Sequence, residues 1–475
     1  MSEHPPQDPE APGAATEATP GDAGGAGGRT ARLNAFAGRG ETLVPLDRPA
    51  PFGWWAAAVV ALVAFIDRVE VNLVAGALPA IQDHFGFSDT WAGAIPTAAA
   101  VAGVVLLLPA GRLADTGRRT GIIALVVLAW AVCSVLSGLA TTFALFFVTR
   151  IMLGAAGQLY NPPASSLLAD YYPGQARGKA YGLERAGYYL GLPVGVALGG
   201  AVADALGWRA VFFVIAVPGV LVALLVLTLR EPIRGIGDRI DRLRARTNAD
   251  PSAPESEVER SVRAGVVAEA RALLRIRTLR GVIISLALLY LGLGGLFYWL
   301  PTLLERTESL AYDTAAGLAG AVGGTGIVIG ILLGSRIGDR FHGVRDGWRI
   351  RVSLVFLLLG AISITAVVLL PGLGLRIALV ALACVGFAGA IPNLTAASAD
   401  VVPADQRGIG FALVQFLLTL GGAVGPLLIG AVSDATGSIN TAFLALVPPL
   451  FASVLVLRFA ATSYDSDAER ALAGR

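Results

Sequence analysis

Apolar stretches of about twenty residues or more recur along this chain, each long enough to cross roughly 30 Å of hydrocarbon as a helix. A backbone in lipid has to satisfy its own hydrogen bonds, so such a chain folds as a bundle of spanning helices. About twelve such segments are read between residues 53 and 461. The composition agrees: 55% of residues are hydrophobic and 15% charged, where soluble domains carry roughly a quarter charged residues. A net charge of +2 gives no clustered basic face for nucleic acid. Cys133 and Cys384 lie far apart in apolar runs and read as small packing residues. The three histidines, His4, His84 and His342, fall in tail or loops. No metal site and no cofactor is expected, and titratable chemistry inside the membrane rests on Asp, Glu and Arg.

Basic residues set the orientation. Arg118 and Arg119 follow span two, Arg177 and Lys179 follow span four, and Arg340, Arg345 and Arg349 follow span eight. Loops on the other side, such as QDHFGFSD and LATTF, carry no arginine or lysine. The positive-inside rule then puts both termini in the cytoplasm, with the chain in the inner (plasma) membrane. Residues 1–50 are rich in Pro, Gly, Ala and Glu and are expected to form a disordered cytoplasmic tail. They lack the pattern of a signal peptide, so the first span directs insertion. A six-helix bundle is expected over 51–230, a cytoplasmic linker over 231–279, a second bundle over 280–461, and a cytoplasmic tail over 462–475.

The two bundles resemble each other. PPASSLLADYYPGQARGKAYGL at 162–183 runs parallel to PNLTAASADVVPADQRGIGFAL at 392–413, and VGVALGGAVADALG at 194–207 matches VGPLLIGAVSDATG at 424–437 at the same offset. GRLADTGRR at 111–119 has a degenerate partner in GSRIGDRFHG at 334–343. Matches in one order indicate a duplicated six-span unit, as in alternating-access carriers. In the linker, Val258, Val262, Val266, Ala270 and Leu273 recur at steps of three to four. A surface-lying amphipathic helix and a solvated linker both fit that spacing.

GRLADTGRR resembles the signature loop of the major facilitator superfamily, although Gly117 comes one residue early. Within the superfamily the chain is most similar to the Spinster family of lipid-related transporters. The likeness is carried by FIDR in span one, SDTWAG, TRIMLG, LLADYYPGQARGKAYG, GWRAVFF, PGVLVALLVLTLREPIRG and YWLPTLLER. It implies a twelve-helix, two-bundle carrier of an amphiphile with an anionic head, such as a lysophospholipid or sphingosine-1-phosphate, in some members with protons. The family often has a Glu seven residues after the span-four Arg. Here that position is Gly157, whereas Glu184 and Arg185 stand in span five where the family is usually apolar.

AFIDRVEVN places Asp67, Arg68, Glu70 and Asn72 in the middle of span one. A charge at the bilayer centre costs a few kcal/mol on insertion scales, so it is expected to be paired or used. Asp67 and Glu70 share one helix face, and Arg68 and Asn72 the next. Pairing of Arg150 or Arg68 with Asp67 is expected. Asp67, Glu70 and Glu184 are candidate proton carriers. Arg68, Arg150, Gln158, Tyr160, Asn161, Tyr188, Tyr298 and Asn393 are candidate substrate-binding residues, with Tyr189, Phe297 and Trp299 as further walls and Gln415 as a further donor. Asp115, Arg118, Arg119, Asp170, Arg177 and Asp339 are candidate gating residues, with Asp115, Arg119 and Asp170 expected to latch the cytoplasmic side shut. Function is therefore read as secondary active transport by a monomer, whose partners are a lipid or small amphiphile, protons and the bilayer. A proton-coupled antiporter of drugs or small organic anions is the alternative. No histidine lies in a span and no nucleophile–base motif appears, which argues against an intramembrane enzyme. The two-half repeat argues against a channel.

Overall fold

The computed structural model describes residues 30–33, 42–45, 48–241, 266–340, 347–403 and 406–472. Within those ranges the side chains of 30–33, 42–45, 107–116, Gln158, 266–269, 407–409, 411, 412 and 472 lie outside the described residues. Twelve long helical segments carry the fold. They are α1 (Trp55–Phe85), α2 (Asp89–Thr116), α3 (Arg119–Gly138), α4 (Phe143–Tyr171), α5 (Gly174–Leu206), α6 (Trp208–Leu227), α7 (Arg277–Glu308), α8 (Tyr312–Arg340), α9 (Trp348–Leu369), α10 (Leu373–Asp400), α11 (Arg407–Thr436) and α12 (Ile439–Ala460). Among the described residues, eleven segments are long and apolar enough to span a membrane. The remaining long helix is α1, 31 residues, set apart by Asp67, Arg68 and Glu70 in its middle. α12 is interrupted by a tighter turn over Leu444–Leu446, just before Pro448 and Pro449 restart it, as proline at a helix start allows.

The pairing of helices shows the duplication. α1 packs on α5, α2 on α4, and α3 on α4 and α6; correspondingly α7 packs on α11, α8 on α10, and α9 on α10 and α12. The halves meet through α2 with α11 and α5 with α8, which the repeat exchanges with each other. Small residues permit those crossings. A Cβ at Gly93 would lie 2.3 Å from the Pro426 carbonyl oxygen, and one at Gly430 would lie 2.2 Å from that of Asp89. Each bundle buries its own apolar core, with Trp130 and Phe212 in the first half and Trp299 and Phe387 in the second. Large apolar side chains such as Val217, Leu224, Val355 and Phe459 remain exposed, as lipid-facing surfaces require.

Two short strands are described within the stretch expected to be a tail. Thr30–Leu33 and Thr42–Pro45 form an antiparallel pair, Thr30 opposite Pro45 and Leu33 opposite Thr42. Both stretches carry Thr with Leu or Val, residues suited to a pleated strand, in a segment whose overall composition masks them. Of the linker periodicity, Val258 and Val262 lie outside the described residues. Val266–Leu273 is a helix and Leu273 is buried.

Candidate transport site

A cavity of about 590 Å³ lies between the halves. Among the described residues its charged lining comes from the first half: Arg68 on α1, Glu184 and Arg185 on α5. Among the described residues the second half contributes no charge to the lining. It presents Tyr290, Leu293 and Phe297 from α7, Ile327 and Ile331 from α8, Ile391 from α10, and Gln415 and Phe416 from α11. The cavity thus has one ionic wall and one largely apolar wall.

On the ionic wall, Asp67 and Arg68 are neighbours in sequence and pair with each other. Arg68 donates Nε and Nη2 to Asp67 Oδ2 at 2.7 and 2.5 Å. Its guanidinium lies 4.6 Å from the centre of the Tyr188 ring, and Arg185 approaches the same ring at 5.5 Å. Cations over an aromatic face are attracted by the ring's quadrupole, so Tyr188 holds both arginines at the cavity. They differ in availability. Arg68 is 22% exposed and its carboxylate partner is close; Arg185 is 52% exposed, and its Nε lies 3.3 Å from Glu184 Oε2. Tyr189 of α5 hydrogen-bonds Tyr290 of α7 and so ties the two walls together.

Behind α1, Ser134 donates to Glu70, and Arg150 Nη2 stands 4.0 Å from the same carboxylate. Arg150 donates to Ser137 Oγ at 2.6 and 3.1 Å and lies 4.9 Å from the Phe212 ring centre.

The faces at the two ends of the helices differ. One, the Asp89 face, is closed by polar contacts between the halves. Arg306 of α7 donates to both Asp89 carboxylate oxygens at 2.6 and 2.9 Å, and Ser433 of α11 donates to Asp89 Oδ2 at 2.6 Å. Asp434 accepts the amides of Asp89 and Thr90. Deeper in, Thr97 donates to the Ala423 carbonyl at 2.5 Å and Tyr298 to that of Ala92 at 2.7 Å. At the opposite, arginine-rich face the described ion pairs stay within a half. Arg119 is fully buried and donates to Asp170, to Glu231 at 2.7 Å and to the Pro232 carbonyl at 2.8 Å. Burial works against the Glu231 charge, but the Thr120 amide and Arg119 hold its carboxyl below the usual range. In the second half Arg349 donates to both Asp400 oxygens at 3.0 and 2.7 Å, and Tyr464 donates to Asp400 at 2.6 Å.

The chain matches the Major Facilitator Superfamily over residues 60–391 and 314–473. It belongs to that superfamily. This facilitator protein is therefore a transporter and not an enzyme. It is 24% identical over 415 residues to the 4-hydroxybenzoate transporter PcaK of Acinetobacter baylyi, covering 81% of this chain and 86% of that one. Protein spinster of Drosophila melanogaster is 26% identical over 199 residues, 41% of this chain and 32% of spinster. The fold is that of a bacterial homologue of the human lysosomal transporter Spinster, solved inward-facing and unoccupied. The TM-score is 0.70 at 24% identity, with 88% of this chain and 97% of that one covered.

Of the residues expected to bind substrate in this facilitator protein, Arg68, Asn161, Tyr188 and Tyr298 line the cavity, as do Glu184 and Gln415. Three do not. Arg150 is held in the core of the first half by Ser137 and Phe212. Tyr160 is buried and donates to the Val60 carbonyl at 3.1 Å. Asn393 is buried and donates to the Gly334 and Gly389 carbonyls at 2.8 and 3.2 Å, so it locks α8 to α10. Asp67 and Glu70 sit outside the lining, because span one turns that face into the bundle. The Gln158 and Asp115 side chains lie outside the described residues. Of the expected latch, Arg119 and Asp170 pair with each other between α3 and α4, and with Glu231 they staple the first half together. Arg118 is exposed, Arg177 pairs with Asp238 of the linker at 2.8 Å, and Asp339 is exposed, 3.8 Å from Arg349. Missed were Arg185 as a lining cation, Tyr290, and the Asp89–Arg306–Asp434 closure. The duplication could have found Arg349 and Asp400, which stand 230 residues after Arg119 and Asp170.

Proposed function

We propose that this transporter moves an amphiphile with one anionic head, lysophospholipid-like, by alternating access between its halves. The single supporting observation is the two-walled cavity, with the lining charge among the described residues on α1 and α5 and mostly apolar side chains on the opposite half. An anionic head fits against Arg185 and Arg68, where a guanidinium offers paired donors in a plane. An acyl chain fits against Phe297, Ile327, Ile331 and Phe416. With the arginine-rich face in the cytoplasm of the inner membrane, together with both termini, closure at the Asp89 face makes this the inward-facing state. Asp67, Glu70 and Glu184 are the candidate carboxylates for proton coupling.

The cluster of Tyr188, Tyr189 and Tyr290 around Arg185 favours a second reading, a small aromatic or other organic anion, in keeping with the name of the 4-hydroxybenzoate relative. Binding to the purified protein separates the two. Lysophosphatidylglycerol affinity that rises with acyl length and drops in Phe297→Ala supports the lipid reading. Binding of 4-hydroxybenzoate with no measurable binding of lysophosphatidylglycerol overturns it.

A further inference from the structure

The proposal rests on the anionic-amphiphile reading and adds the coupling device. We propose that Glu184 and Arg185 form an exchange pair. The incoming anionic head takes the Arg185 guanidinium from Glu184, and the released carboxylate takes a proton from the open side, so that anion and proton cross together.

The charge count at the cavity carries the argument. Asp67, Arg68, Glu184 and Arg185 are two carboxylates against two cations, so the empty site is balanced. A monoanion entering it adds a negative charge with no new cation. In a site walled by apolar side chains an uncompensated charge is costly and like charges disfavour each other, so one carboxylate takes up a proton. Among the described residues Glu184 is the only carboxylate lining the cavity. Asp67 keeps two hydrogen bonds from Arg68, and Glu70 keeps Ser134 with Arg150 close behind.

The surroundings of Glu184 leave Arg185 as its exchangeable partner. From α1 it faces Asp67 and Arg68, already paired with each other; from α4, Tyr160; from α5, Tyr181 and Arg185. Tyr188, Tyr189 and Tyr290 surround Arg185 itself. α6 and α8 carry their charged residues only at their ends, Arg209 on one and Asp313, Arg336, Asp339 and Arg340 on the other. Arg185 is the half-exposed cation of the cavity, and the 3.3 Å contact to Glu184 uses Nε. Its pairing is thus the loosest on the ionic wall. The step makes one O–H bond on Glu184 and transfers no other group. Its direction is symport, since anion binding promotes proton uptake where a cationic substrate would expel the proton.

The test uses the detergent-solubilised full chain in weak buffer near pH 7, with a pH-indicator dye and lysophosphatidylglycerol as probe. The parent is expected to take up about one proton per lipid bound, and its affinity to fall roughly tenfold per unit rise in pH. Glu184→Gln is expected to bind lipid with no uptake and a flat pH dependence, and Glu184→Asp to restore uptake. Arg185→Gln is expected to lose about tenfold or more in affinity. Lipid binding by the parent without proton uptake overturns the exchange pair and leaves the amphiphile reading standing. Uptake that persists in Glu184→Gln but disappears in Asp67→Asn or Glu70→Gln also overturns it. Absence of lysophosphatidylglycerol binding overturns both.

Discussion

The carboxylate of Asp434, near the end of α11, accepts the backbone amide of Asp89 at 3.0 Å and that of Thr90 at 2.8 Å. An acidic residue of one half thus caps the first turn of α2 in the other. Helix starts leave four amides without intrahelical partners, and a side chain that satisfies them contributes typically about 1 kcal/mol. Here that stabilisation exists only while the halves are closed at this face. Asp434→Ala is therefore expected to raise the population open at the Asp89 face about fivefold. Distances between spin labels at Asp83 and Ala435 read this out, and an unchanged distribution counts against the role.

Arg306 adds a stronger tie on the same face through its two contacts to Asp89. Charge-assisted paired hydrogen bonds exceed neutral ones, and removing the cation leaves Asp89 half-paired. Arg306→Met should open the face more than Asp434→Ala does. The two substitutions should combine non-additively, because both act through Asp89. Additive shifts would mean that they belong to separate contacts.

Arg119 is expected to behave as a structural residue. Its loss strands Asp170 and Glu231, and breaking a buried ion pair from one side typically costs about 3–5 kcal/mol. Arg119→Ala should lower the thermal midpoint sharply. Arg349→Ala should lower it less, because Asp400 is 27% exposed and keeps Tyr464. Equal losses would show that the staples bear equally on stability.

Glu231 gives this staple a pH dependence. Its folded carboxyl titrates below the ordinary value, so the stabilisation is fully present above about pH 4.3 and is lost as pH falls through the folded value. Glu231→Gln should be less stable than the parent near neutrality and should approach it below about pH 4. A stability gap that does not narrow on acidification would refute the assignment.

Much of this is legible in the sequence alone. Span count, duplication and the charges of α1 follow from hydropathy and repeat spacing, since a bilayer admits few alternatives. The cavity was only half legible. Arg185 reads only as a cation in span five, without its place over the Tyr188 ring, whereas Asp67 with Arg68 reads from local spacing. Arg150 does not, because a basic residue in a span looks the same whether it faces a cavity or Ser137 and Phe212. The Asp89 closure joins residues more than two hundred positions apart across both halves, and no local periodicity reports such a contact. Arg150→Lys accordingly should reduce thermal stability while changing lipid affinity less than about twofold.

The central claim is that an anionic amphiphile is carried through this cavity by alternating access. Counterflow in proteoliposomes tests it most directly, with labelled lysophosphatidylglycerol outside and unlabelled lipid inside. The account predicts saturable uptake, accelerated by the lipid inside and strongly reduced in Arg185→Gln. Uptake that rises linearly with concentration, ignores the lipid inside, or survives in Arg185→Gln at the parent's rate would contradict it.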